Sequence, residues 1–255
     1  VERADLAGLA PELARWGGAE LPLLAAPPPR SLDEARALLQ GLGALDGHGH
    51  ITAHGKVLAA LPLHPRLGHM LAVAGPGAAG LAALLAERDP LRGAPPDLGL
   101  RLQAVARPGP EADRGIIERV RAEAKRLEAA ARGLGAAQSG GMSVAKMAAL
   151  AYPDRIGLRR KGEAPRWVLT GGKGAAMAPG LPLSGARLIV ATDLDGDARE
   201  AAVRQAVAIS DAEVRGLYGD RIAWAENCEW SRREGRVLAR RQGRLGALVL
   251  DDRPW

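Results

Sequence analysis

Residues 31–71, SLDEARALLQGLGALDGHGHITAHGKVLAALPLHPRLGHML, decide how the first part of this 255-residue chain is read. Ser31 and Glu34 have capping-box spacing, which predicts a helix starting at Leu32 or Asp33 with Ala35, Leu38, Leu39 and Leu42 on one face. Gly43 stands where a left-handed residue would end it. Asp46-Gly47-His48-Gly49 is a polar, glycine-bearing turn of the kind that closes a short hairpin, with His50 to Thr52 as its brief return strand. Thr52 can cap a second helix through Lys56, Val57, Leu58 and Leu61, which Pro62 ends. Pro65 suits the first turn of a third helix, Arg66 to Ala74. Helix, hairpin, helix is the layout of a small winged-helix unit.

Upstream, Val1 to Trp16 reads as an amphipathic helix with Leu6, Leu9, Leu13 and Trp16 along one side, stopped by Gly17-Gly18. Leu21 to Arg30 is a proline-rich connector expected to run extended. Downstream, Gly75-Pro76-Gly77 is a break, followed by a short helix over Leu81 to Arg88 and another that Asp97 can cap. The longest predicted helix runs from Glu111 to Leu134. Its Ile117, Val120, Ala124, Leu127, Ala131 and Leu134 form one apolar stripe, and Arg119, Arg121, Lys125, Arg126 and Glu128 face away. Ser143 starts a last helix through Leu150. Leu81 to Ala151 is thus expected to be a helical bundle.

The pattern changes at Tyr152-Pro153. RWVLT, ARLIVATDL, AAVRQAVAI, RIAWAENCEW, GRVLARRQ and ALVL are β-type runs separated by Gly, Asp and Pro. Short strands at this spacing predict a small barrel such as an OB-fold. Ala198 to Ile209 is alanine-rich and reads equally well as a helix. The expected class is therefore multi-domain α+β: a winged-helix unit with its lead-in helix over 1–74, an all-α bundle over 75–151, and an OB-like β-domain over 152–255.

Composition narrows the function. Apolar residues make up 47% and aromatics only 3%, with no Phe, so the core must be Leu, Ala and Val. The formal charge is +6, from 35 Lys+Arg against 29 Asp+Glu, a mild lean toward a polyanionic partner. The single cysteine, Cys228, excludes an internal disulfide framework and a multi-cysteine zinc site, and points to a reducing cytoplasm. No segment approaches the roughly 20 apolar residues of a membrane span, so no membrane partner is expected. The start, with no initiator Met and in mid-pattern, predicts a piece of a longer protein.

The run LGALD, GHGHIT and HGKVLAALPLHPRLGHML resembles the winged-helix segment of DEAH-type (DExH) ATP-dependent helicases, whose form is "L..LGALD..G.LT..G..MA.LPL.P.L..ML". AYPDRIGLRR, WVLTGGKGA, VATDLDG and RLGALVL are similar to stretches of the bacterial HrpB-type branch. Ala25-Ala26 departs from the Asp that precedes the prolines in that family. The resemblance implies the accessory region of a helicase: the winged helix, a ratchet-like bundle and an OB-like domain that guide single-stranded RNA or DNA. It also implies RecA-like motor domains as partners, and ATP and Mg²⁺ in those motor domains rather than in this region.

The residues themselves carry no ATPase motif. Gly55-Lys56 and Gly172-Lys173 both lack the following hydroxyl and the upstream glycine of a phosphate-binding loop, and no DEAH-type acidic motif is present. No catalytic residue is assigned. Asp193, Asp195 and Asp197 mismatch a calcium loop, since Gly196 precedes the third aspartate and Arg204 holds the closing position. His48, His50, His54, His64 and His69 match no closed metal spacing and read as solvated or capping histidines.

For nucleic acid, Arg155, Arg159, Arg160, Lys161 and Arg166 bracket the junction into the β-domain, and Lys173 follows in a Gly-rich loop whose N–H groups could add phosphate contacts. Arg233 and Arg236 belong to a second set with Arg232, Arg240, Arg241 and Arg244. A solvated basic surface is the other account of the same residues. Of the aromatic stacking candidates Trp167, Tyr218, Trp224 and Trp230, the strand residues Trp167 and Trp224 are expected in the core. Two rival functions stand beside this one. A duplex-DNA reader would need a basic helix at Thr52 to Leu61, where only His54 and Lys56 are available; a scaffold would dock on the motor.

Overall fold

The computed structural model describes residues 6–8, 28–134, 141–197, 200–232 and 235–255. Most of the expected lead-in helix and most of the proline-rich connector lie outside them. By packing the chain divides into two units, Val1–Arg92 with Leu102–Met142, and Gly93–Arg101 with Ser143–Trp255.

The first unit begins with α1 (Pro29–Gly41), which starts earlier than the capping box predicts. Pro28 is its N-cap and no side chain caps it, so Ser31 lies within the first turn. Proline at the first helical position is pre-set to a helical φ and lacks only an N–H that would be orphaned there. The C-terminus follows the expectation: Gly43 has φ +72°. Its N–H donates to the Gln40 carbonyl at 2.9 Å, while Ala44 N–H donates to Leu39 at 2.8 Å. This is a Schellman closure.

The hairpin is smaller than predicted, a single bridge between Leu45 and Ile51. Asp46 organises its turn, its Oδ1 accepting from the N–H groups of His48 and His50, both at 2.9 Å. These bonds, that to His50 foremost, hold the Asp46 carboxyl below its ordinary pKa. Thr52 Oγ1 then accepts from Gly55 N–H at 2.9 Å, starting α2 (Ala53–Ala60). After Pro62 comes α3 (Pro65–Ala74). Ala35, Leu39, Ala44, Leu45 and Leu58 form the core of this segment.

A 3-10 turn, Pro76–Ala78, leads into α4 (Ala79–Ala86). Next come α5 (Leu98–Ala106) and α6 (Arg114–Gly133), the latter capped by Asp113, whose side chain accepts from Ile116 N–H at 3.0 Å. The predicted start at Glu111 is three residues early, because the Asp113 cap governs the first turn. Ile116, Ile117, Val120, Leu127 and Ala131 are buried, whereas Leu134, at the end of the predicted stripe, is exposed. The polar face is laced with ion pairs, Arg119 to Glu87 at 2.8 Å, Arg121 to Glu118 at 2.9 Å, and Arg126 to Glu123. Arg121 also donates to the Val105 carbonyl at 2.6 Å, satisfying an orphan acceptor at the end of α5.

In the second unit, α7 (Val144–Ala151) is capped by Ser143. It packs on barrel strands rather than with the bundle helices with which its sequence position groups it. The barrel is closed, in the order β1-β2-β3-β5-β4. Its strands are β1 (Ile156–Arg159), β2 (Arg166–Leu169), β3 (Gly174–Ala176), β4 (Leu188–Leu194) and β5 (Glu200–Ala208). Neighbours are antiparallel except β3 and β5, which are parallel. The alanine-rich run is thus a strand. Burial alternates along it, and pairing on both edges outweighs alanine's helix preference. Trp167, Leu169, Ala175, Met177, Ile189, Val203 and Ala206 fill the barrel, with Trp167 Nε1 donating to the Ala186 carbonyl at 3.1 Å. The loop before α5 joins this unit through Ala206 N–H, which donates to Pro96 at 2.7 Å.

After α8 (Asp211–Tyr218), the last strands leave the barrel. β6 (Ala223–Ser231), β7 (Arg236–Leu245) and β8 (Leu248–Pro254) form a separate antiparallel sheet, not the barrel strands that the sequence suggests. Ala247 N–H donates to Thr170 at 3.0 Å, which ties the β7–β8 turn to the barrel. Among the described residues no single helix is long and apolar enough to cross a membrane.

Candidate nucleic-acid interface

Antiparallel pairing of β1 with β2 sends the basic residues to two ends of the barrel. The turn between these strands carries Arg159, Arg160, Lys161 and Arg166 at one end. Arg155 and Lys173 lie at the other, beyond strands of four residues, or about 13 Å. The contiguous cluster suggested by the sequence is therefore two separate groups.

Within them the side chains do different work. Arg159 is internally engaged: Nε donates to the Ser184 carbonyl at 3.1 Å and Nη2 to Glu163 at 3.2 Å, pinning the turn. Arg166 pairs with Glu200 at 3.2 Å. Arg155 lies 5.1 Å from the Tyr152 ring centroid and donates to the Thr192 carbonyl at 3.4 Å. Arg160 and Lys173 are exposed, and among the described residues neither side chain has a hydrogen-bond or ion-pair partner. Lys161 is exposed as well, and its charge helps hold the Asp252 carboxyl below its ordinary range, behind the larger effect of Arg240. The glycine N–H groups beside Lys173 are already spent on the backbone, Gly171 on Asp154 at 2.9 Å and Gly172 on Leu169 at 2.8 Å. The expectation that they would hold phosphate is corrected by these bonds.

Arg236 opens β7 at the outer end of the separate sheet, opposite Ser231, and Arg233 lies outside the described residues. Arg240 pairs with Asp252 at 2.8 Å. Arg244 donates to Gln242 Oε1, with Nη2 at 2.7 Å.

The aromatic residues divide differently from the sequence expectation. Trp167 is fully buried, as its strand position predicts. Tyr218 is buried, its hydroxyl donating to the Ala149 carbonyl at 2.7 Å, and it is no stacking surface. Trp224 is not core: it is 45% exposed, and Trp230 is 62% exposed. A signal for this was present. Along AWAENCEWS polar residues fall on both alternations, at Glu226 and Asn227 and again at Glu229, so neither face of the strand is continuously apolar.

Among the described residues no His, Cys, Asp or Glu side chains converge as a metal-binding group. His54 Nε2 and His69 Nδ1 hydrogen-bond each other at 2.8 Å. At Gly55-Lys56 the backbone is closely packed, since a Cβ on Gly55 would be driven into the Ala44 carbonyl oxygen.

Residues 35–63 match the family "Helicase associated domain (HA2), winged-helix", and residues 221–255 match "ATP-dependent RNA helicase HrpB, connector region". Among solved structures, the E. coli DExH-box NTPase HrpB superposes with a TM-score of 0.78 over 99% of this chain, at 31% identity. The chain corresponds to a region of HrpB-type helicases. A second structure, the Escherichia coli DEAH/RHA helicase HrpB, matches 98% of the chain at 28% identity and a TM-score of 0.76. The HrpB-type region described here spans 30% and 31% of the lengths of those two proteins. Comparison with curated proteins gives no match at the same stringency.

Proposed function

We propose that this chain is the accessory region that guides single-stranded nucleic acid, RNA or DNA, in an ATP-dependent HrpB-type helicase. In this reading α1 to α3 are the winged helix, α4 to α6 form the ratchet-like bundle, and the five-stranded barrel is an OB-like domain. The expected division at 1–74, 75–151 and 152–255 keeps its order in this reading, with the second boundary moved to Ser143 because α7 packs on the barrel strands. The barrel order supports it, since an OB-like barrel is a five-stranded Greek key of this size. ATP and Mg²⁺ belong to RecA-like motor domains, and the region itself performs no chemistry. Its setting is the cytoplasm.

The observation that carries the reading is the set of exposed cations on barrel turns, Arg160, Lys161 and Lys173, in a chain of the helicase family. Phosphates would be held there by charge, with no base read. A duplex-DNA reader fits less well, because α2 presents only His54 and Lys56 as polar side chains for a groove.

The test is made in an HrpB-length enzyme carrying Arg160→Ala, Lys161→Ala and Lys173→Ala. Turnover of ATP without nucleic acid is expected to be unchanged. The RNA or DNA concentration giving half-maximal stimulation is expected to rise about ten-fold or more, as phosphate contacts are lost. Unchanged stimulation would remove the barrel turns from the strand path and leave the region as a scaffold docked on the motor.

A further inference from the structure

The sheet β6–β7–β8 carries an exposed aromatic face that the barrel reading does not use. Its register is Trp224 opposite Gly243, Glu226 opposite Arg241, Cys228 opposite Ala239 and Trp230 opposite Val237, with Arg253 beside Arg241 on β8. Trp255 N–H donates to the Ala239 carbonyl at 3.0 Å, continuing that register. Side chains alternate across a strand, so these residues share one face. Trp230 is 62% exposed, Val237 59% and Trp255 64%. Exposed apolar groups gathered on one face mark an interaction surface.

The charges on the face say what kind. Arg241 and Arg253 both lie over the Trp224 ring, 5.2 and 5.3 Å from its centroid. Two like charges directly opposite across strands are unfavourable, and the indole offsets that repulsion. An apolar protein surface laid here would desolvate both guanidiniums and Glu226. A single strand offers π-faces to the indoles and phosphate charge to the arginines, while Glu226 and Asp251 on the same face, the latter paired with Arg215 at 3.0 Å, keep phosphates to the arginine side. Trp224 and Trp230 are six residues apart on one strand, about 20 Å, room for several nucleotides.

We propose that this face is a stacking platform for single-stranded nucleic acid, with Trp230 receiving a base and Arg241 and Arg253, held over the Trp224 ring, receiving phosphates. It extends the proposed strand path and rests on that reading for its ligand class, but it uses none of the barrel cations.

Binding of a fluorescent oligo(dT) to this chain is compared with that of an abasic oligonucleotide of equal length and charge. Stacking predicts tighter binding of oligo(dT), quenching of tryptophan fluorescence, and slowed alkylation of Cys228, the only cysteine of the chain, which lies between the two tryptophans. Trp230→Ala is expected to weaken oligo(dT) binding about ten-fold while leaving abasic binding unchanged, and Trp230→Phe to restore most of it. Equal binding of the two oligonucleotides, with Trp230→Ala silent, overturns the platform. If Arg160→Ala, Lys161→Ala and Lys173→Ala still weaken binding in that case, the barrel reading survives without it. Protection of Cys228 in an HrpB-length protein before any nucleic acid is added would also overturn it, making the face a protein-docking surface.

Discussion

Tyr218 shows most directly how a single side chain sets a measurable property. Its hydroxyl is buried against the Ala149 carbonyl, and burial pushes its pKa up from 10.0 to about 12. In the unfolded chain the phenol ionises first. The stability that Tyr218 contributes is therefore fully present below pH 10, and it is lost as the pH rises through about 12. Urea midpoints measured from about pH 9 upward should fall in the wild type and fall less in Tyr218→Phe. Equal slopes would place the phenol in water. Little of this could be read in the sequence, where Tyr218 is one aromatic residue among possible stacking surfaces. Its fate depends on α7, which lies 69 residues away along the chain. Local signals such as the Thr52 cap and Gly43 were legible because their partners are within a few residues. The opposite errors on Trp224 and Tyr218 share one cause: burial is decided by what packs across, which a single strand or helix does not announce.

At the scale of elements, most of those with their own caps and stripes were readable, while the partners of those defined by pairing were not. α6 was predicted from its apolar spacing, and Leu127 lies fully buried at its centre. Leu127→Ala is expected to lower unfolding stability by about 2–5 kcal/mol, measured by urea denaturation. A change below about 1 kcal/mol would mean that the helix is not a core element. By contrast, β1 and β3, of four and three residues, carry too few side chains for a period to show. They are strands because barrel neighbours supply their hydrogen bonds. α8 was missed although Ser210 and Glu213 form a full capping box, since the run of strands around it dominated the reading. The strands β6 to β8 had the right type and the wrong sheet. Nothing local to a strand says which edge it joins, and the anchoring bond from Ala247 to Thr170 links residues far apart in the chain.

For the molecule as a whole, the family was readable from motif spacing because the winged-helix stretch and the barrel motifs are long and continuous. The candidate site was only half legible. Sequence placed the basic residues near the barrel, but the structure engages Arg159, Arg166 and Arg155 internally and exposes Arg160, Lys161 and Lys173. An electrostatic guide must show that difference in its salt dependence. Each phosphate contact on a single strand contributes about 0.7 to the slope of log K against log salt. The central measurement is therefore fluorescence anisotropy of single-stranded RNA and DNA binding to this chain across a salt series. It is made for the wild type and for the variant with Arg160, Lys161 and Lys173 replaced by Ala. The account predicts measurable binding at low salt and a slope shallower by about 2 in the variant. Identical slopes, or no binding even at low salt, would contradict it.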